Sequence, residues 1–305
     1  MRKTFTHKHQ RFLTLFLILI ISSGAALTTS SAAPTPADKM KPEELIAKHL
    51  AAIGPADALA AAKSRVVVGD VKVQSKSSAV REIAGVAQLA SDGDKVVLAM
   101  VFNSSGYSYE KAAYDNDKMT VALMESTGKR TALGDFLMSQ EAVFKQGLIG
   151  GVLSSAWPLL NISAKNPKLS YAGTKKIDGR ELHELKYRPN KGGGDTQISL
   201  FFDAQTFQHV RSEYQYTVSA RMGARPQSSV GVATDTGSQT LNRYKLIEEF
   251  SDFKAEGQLI LPHTYKIRLS IDALTSQLFE WTMNFSKFSF NEPIEASAFN
   301  VSSTR

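Results

Sequence analysis

No cysteine occurs anywhere in the 305 residues. Disulfide staples are therefore excluded, as is lipid attachment at a cysteine, and the fold must be held by burial alone. Histidine is scarce, and only His49, His183, His209 and His263 follow the amino-terminal segment. Their positions have no metal-ligand spacing, so neither a metal nor a cofactor is expected. His183-Glu184 opens the HExxH pattern of zinc proteases, but Tyr187 stands at the second ligand position and the segment alternates as a strand. Ser126-Thr-Gly-Lys129 matches the SxxK of serine acylases without companion SDN and KTG elements. It also lacks the first glycine of a P-loop, because Leu123 occupies that position. The triple glycine at 192–194, flanked by strands, reads as a hairpin loop. No GxSxG, dinucleotide fingerprint or interpretable carboxylate pair is present, and the chain is read as not being an enzyme.

What is present begins with a leader. Arg2, Lys3, Lys8 and Arg11 precede an apolar run from Phe12 to Ile21, followed by small residues, which is the layout of a cleavable secretory signal. Residues 1–32 are assigned to it, with cleavage near Ala25 or Ala32 and a periplasmic destination. The run is too short for a membrane span of roughly 20 residues. The whole chain carries 36 basic and 29 acidic side chains, a net +7. The four basic residues of the leader supply more than half of that excess and leave +3. The remaining Lys and Arg are scattered singly, whereas a nucleic-acid surface needs a clustered basic face, so nucleic acid is not an expected partner.

Beyond the leader, Pro42 to Gly54 reads as a helix opened by proline, with acids in its first turn and a closing glycine. A short helical piece follows at 56–63. From Val66 the period becomes two, with strands expected at 66–74, 81–90, 95–102, 107–114 and 118–124, separated by turn residues such as Ser91-Asp-Gly-Asp94. A single helical region is expected from Thr131 to about Gln146. Residues 147–160, GLIGGVLSSAWPLL, carry no charge, lack strand alternation and are laced with glycine. Strands resume at 169–174 and 181–188. Later strands alternate cleanly: Val210, Tyr214, Tyr216 and Val218 share one face, as do Tyr265, Ile267, Leu269 and Ile271, and then Phe279, Trp281, Met283 and Phe285. Residues 219–242, rich in Gly, Ser and Thr, read as a long mobile loop.

One-faced strands joined by hairpin-length connections imply an antiparallel meander too wide to stay flat. The expected fold class is α+β: a large curled antiparallel sheet, an incomplete β-barrel, covered on its concave apolar face by helices. Phe136, Leu137, Leu148, Ile149, Leu153 and Trp157 are expected to cover it. Tyr214, Tyr216, Tyr265, Ile267, Trp281 and Phe285 are expected to form its floor. Together these twelve are the candidate ligand-binding residues, since binding pockets are concave and mainly apolar.

Several stretches carry a family resemblance: EELIAKHLAAIG at 43–54, GLIGGVLSSAWPL at 147–159, KIDGRELHELKYRP at 176–189, FFDAQTFQHVR at 201–211, EEFSDFKAEGQLILPHTYKI at 248–267 and FSFNEPIEASAF at 288–299. In this order they resemble the periplasmic lipoprotein-carrier superfamily typified by LolA and LolB. The resemblance implies a single half-barrel domain over 33–305 whose hydrophobic cavity carries acyl chains. It further implies a soluble, monomeric periplasmic carrier or sensor with a lipid or lipoprotein acyl chain, and a membrane or envelope protein, as partners. The alternative is an interaction or regulatory module of the same fold, with a filled core and no lipid cargo.

Overall fold

The computed structural model describes residues 40–76, 82–124, 126–221, 239–273 and 275–301. The leader, its cleavage site and the centre of the 219–242 segment lie outside the described residues. Twelve antiparallel strands form one open sheet: β1 Ser64–Ser75, β2 Glu82–Asp92, β3 Lys95–Phe102, β4 Tyr109–Tyr114, β5 Met119–Val121, β6 Lys168–Ile177, β7 Arg180–Arg188, β8 Gln197–Asp203, β9 His209–Arg221, β10 Gln239–Glu256, β11 Leu259–Asp272 and β12 Gln277–Phe290. Their order is β5-β4-β3-β2-β1-β12-β11-β10-β9-β8-β7-β6.

That order is two meanders joined at a seam. The first runs outward from β1 to β5, the second returns from β6 to β12, and β12 pairs with β1. The chain between β5 and β6 must therefore pass from one edge of the sheet to the other, and it does so across the concave face. It contains α3 (Ala132–Ser139), α4 (Glu141–Lys145), two short 3-10 turns at Gly151–Leu153 and Pro158–Asn161, and the single turn Ile162–Lys165. Two helices before the sheet, α1 (Pro42–Ile53) and α2 (Ala56–Ala61), complete the covering layer. Pro42 at the start and Glu43 and Glu44 in the first turn favour helix in α1, which buries Leu45, Ile46, His49 and Ile53. The curled sheet with a helical cover agrees with the α+β expectation.

Three local expectations change. The helix expected from Thr131 to Gln146 is broken at Gln140, whose backbone leaves the helical region (φ −118°, ψ 44°). Val210 does not share a face with Tyr214: a bulge between Phe201 and Phe202 places an extra residue on β9. Val210 packs instead with Leu182 and Phe201 on the convex side. The loop expected over 219–242 is shorter at both ends, since Ser219 to Arg221 pair with Gln239 to Leu241 and extend the β9–β10 ladder.

Candidate functional site

All twelve candidate residues are buried in one apolar cluster, the most exposed being Tyr216 at 9%. The expected cover and floor therefore meet. Phe136 lies 5.6 Å from Tyr216, and Phe250 and Tyr265 stack at 5.0 Å. The interior between them is filled by side chains. A groove of about 720 Å³ lies against α1 and α2, lined by Leu50, Leu59, Leu160 and small residues of those helices and the turn between them. None of the twelve lines it.

The covering segment is a tight, irregular path. Gly147 has φ of 75°, and a Cβ there would lie 2.0 Å from the Ala156 carbonyl oxygen. Gly151 has φ of 50°, and a Cβ would meet the His209 ring nitrogen at 2.8 Å. Both conformations favour glycine. Turn-type bonds such as Gly151 to Leu148, Leu153 to Gly150 and Trp157 to Ser154 satisfy part of its backbone, and side chains from the sheet meet several of the groups that remain.

Five ties hold it. The Gly150 amide donates to Glu248 Oε1 at 2.8 Å. The Tyr214 hydroxyl lies 2.6 Å from Glu248 Oε2 and 3.3 Å from the Leu148 carbonyl. The Arg65 guanidinium donates through Nη1 to the Val152 carbonyl. The Ser155 amide donates to Ser91 Oγ at 2.8 Å. The Trp157 indole donates to His49 Nε2 at 3.1 Å, while its ring stacks on His209 at 4.6 Å.

Three of these ties have unusual electrostatics. Glu248 is fully buried and also receives the Tyr265 hydroxyl; burial raises its pKa to about 7 despite the three donors. Tyr214 has one proton for two acceptors. A protonated Glu248 resolves the conflict by donating to the Tyr214 oxygen, which frees the phenolic proton for Leu148. His49 accepts from Trp157 at Nε2, so Nδ1 carries the proton donated to the Phe207 carbonyl; burial holds this neutral ring at a pKa of about 4. His209 lies 3.0 Å from Ser212 through Nε2, burial pushes it well below the usual range, and its Nδ1 has no hydrogen-bond partner among the described residues. Arg65 is 1% exposed, burial lowers it to about 10, and its Nε and Nη2 have no partner among the described residues.

A second buried carboxylate anchors the start of the cover. Glu110 receives the Thr131 hydroxyl at 2.7 Å and the Tyr107 hydroxyl, and burial raises it to about 7. Thr131 in turn caps α3 by accepting from the Gly134 amide. The Trp281 indole donates to Tyr107, which links this anchor to the floor.

Sequence reasoning named the apolar residues of this site but missed Arg65, Glu248, Glu110, His49 and His209. A signal for two of them exists. Arg65 is in phase with inward-facing Val67 and Val71, and Glu248 is in phase with Leu246 and Phe250. The HExxH fragment comes to nothing: His183 lies beside Tyr171 and Phe207, while the next residue, Glu184, pairs with Lys175 and Lys186. Among the described residues no group of three potential metal ligands is assembled. No described helix is long and apolar enough to cross a membrane.

No protein-family model matches the sequence, and no curated protein matches it. Solved structures do align with it. A LolA superfamily protein from Nitrosomonas europaea is 10% identical, with a TM-score of 0.44 over 86% of this chain and 98% of its own. A domain described as an outer membrane lipoprotein-sorting protein, from Vibrio parahaemolyticus, is 11% identical, with a TM-score of 0.39 over 84% of this chain and 95% of its own. A chain of the Pseudomonas aeruginosa MucA/MucB complex is 10% identical, with a TM-score of 0.21 over 81% of this chain and 99% of its own.

Proposed function

We propose that the chain is a periplasmic carrier or sensor that takes up a lipid or lipoprotein acyl chain between the concave face of its sheet and the covering segment at 147–160. The observation that carries this reading is how the cover is attached. It is uncharged and apolar, yet no strand ladder joins it to the sheet; side-chain ties from Arg65, Ser91, Tyr214, Glu248 and His49 hold it. Such ties can be released without unpairing a strand, and release uncovers a floor of Tyr265, Ile267, Met283 and Phe285. An entering acyl chain re-buries that floor at roughly 0.8 kcal/mol per methylene. Export and cleavage of the leader belong to the same proposal.

The cysteine-free chain offers a direct test. Ser91 and Ser155 are bonded across the cover and β2, so Ser91→Cys with Ser155→Cys provides a reversible lock. A fluorescent fatty acid is expected to bind the wild type and the reduced double variant, and to fail with the oxidised one. Organic extraction of the purified wild type followed by mass spectrometry should recover stoichiometric lipid. Protein that carries no lipid and ignores the probe in every state defeats the proposal.

A second reading is favoured by the filled interior: an interaction or regulatory module whose cavity is occupied by its own side chains. Under it the oxidised lock leaves all binding properties unchanged, because the cover never moves.

A further inference from the structure

A buried arginine ordinarily has a carboxylate partner, since removing a guanidinium from water costs several kcal/mol that only pairing and hydrogen bonds offset. Arg65 departs from this. It opens β1 on the concave side, where burial alone shifts its pKa and no charged group counters it. Among the described residues, of its donors only Nη1 is used, on the carbonyl of Val152 in the cover, and Nε and Nη2 have no partner. The cover residue that occupies Arg65 is thus an uncharged carbonyl where the guanidinium fork suits a two-oxygen anion. The buried carboxyl that also bonds the cover, Glu248, is engaged by Tyr214, Tyr265 and Gly150.

The surroundings of Arg65 give a direction. From it, Val67, Val71 and Val73 run along the concave face of β1, and their partners on β12 are Phe288, Met283 and Trp281. Eight residue steps at about 3.3 Å each make an apolar track of roughly 26 Å. One end of the track is cationic and the rest is hydrocarbon.

We infer that Arg65 receives the anionic end, carboxylate or phosphate, of an amphiphile whose hydrocarbon chain lies along β1 and β12. The inference rests on the carrier reading above and adds the polarity and orientation of the ligand. Val152 acts as the stand-in that the anion displaces, so binding the head group and releasing the cover are one event. Two of the guanidinium donors that lack partners in the covered state gain them in the loaded one.

Binding is measured by the fluorescence of Trp157 and Trp281 with four probes: palmitate, hexadecyl phosphate, 1-hexadecanol and inorganic phosphate. For the wild type, palmitate or hexadecyl phosphate should bind at least tenfold more tightly than hexadecanol. Arg65→Gln should abolish that preference while keeping hexadecanol binding, and Arg65→Lys should keep part of it. Thermal unfolding by circular dichroism establishes that each variant folds; Arg65→Gln removes an uncompensated buried charge and is expected to melt no lower than wild type. Equal affinity for the charged and neutral chains overturns the inference and leaves acyl binding standing. Inorganic phosphate binding as tightly as hexadecyl phosphate overturns it in favour of a free-anion site. Failure of all three hexadecyl compounds overturns the carrier reading itself.

Discussion

Glu248 and Glu249 are neighbours on β10 and live in opposite worlds. Glu249 faces the convex side, where Arg211 reaches it and Arg268 approaches it, and these arginines also meet Glu213 and Glu280. Charge there is answered by charge at the edge of water. Glu248 faces the concave side, where two phenols, the Ser212 hydroxyl and a backbone amide meet it and no cation does among the described residues. Arg65, also concave, has a single carbonyl. The period-two geometry of one sheet thus separates a balanced ionic surface from an interior whose charges lack counter-charges. The first arrangement is what a stable surface needs. The second is expensive to maintain, and its members all touch the one segment that crosses the face, which is why the site is placed there.

The comparison breaks most visibly at the cover. Trp157→Ala removes the indole that stacks on His209 and bonds His49, and should cost about 3–5 kcal/mol in urea unfolding. Glu248→Ala strands the Gly150 amide and the Tyr265 hydroxyl in the core and leaves Tyr214 its longer bond to the Leu148 carbonyl, for a total of about 2–3 kcal/mol. Glu249→Ala, one residue away, should cost less, about 1 kcal/mol, because Glu249 keeps contact with water and Arg211 retains Glu213 as a partner. Equal losses at 248 and 249 would erase the distinction between the two faces.

Acidity sharpens it next, because the two faces respond to pH with opposite signs. Glu248 and Glu110 have folded pKa values raised to about 7 from 4.5. Their contribution is complete below about 4.5 and is lost as pH rises through 7. On the convex side, burial raises Glu213 but bonds from Lys245 and Arg211 outweigh it, so its net shift is downward. Its contribution is present above 4.5 and lost as the solution acidifies. The interior histidines oppose the carboxyls: His49, lowered to about 4 from 6.5, contributes above 6.5 and loses that contribution as pH falls through 4. Wild-type stability should therefore be shallow between about 4.5 and 6.5. Glu248→Gln should tilt it, so that its difference from wild type changes by on the order of 2–3 kcal/mol between pH 5 and pH 8. Glu213→Gln should change the profile only on the acid side. Urea midpoints across pH for the three proteins check both signs.

Much of this arrangement is legible in the sequence, and the illegible part has physical causes. Alternation at Tyr214 and Tyr216, Tyr265 and Ile267, and Trp281 and Phe285 places those side chains on the concave face, and all are buried there. An uncharged stretch between a helical region and a strand reads as a cover because nothing else would tolerate it. Val210 escapes because one bulged residue reverses its facing without altering the hydrophobic pattern. Arg65 and Glu248 escape because composition alone treats charge as solvated, even where phase with Val67 or Leu246 points inward. Filling of the interior is illegible in principle: alternation gives the face of each side chain but not the separation of the layers it spans.

Salt separates the faces by the smallest effect. In a double-mutant cycle, Glu249 and Arg268, at 3.5 Å on a partly exposed surface, should couple by about 0.5 kcal/mol at low ionic strength. At 1 M salt the screening length falls to about 3 Å and the coupling should vanish. Glu248 and Tyr265, both at 0% exposure, are beyond the reach of mobile ions, so their coupling should be the same at both concentrations. Urea unfolding of the wild type and the six variants at two salt concentrations decides it. A salt-sensitive coupling between Glu248 and Tyr265 would mean that water and ions reach beneath the cover in the ground state. The segment at 147–160 would then be open often enough for its ties to be a minor restraint, and control of entry would have to be sought elsewhere in the molecule.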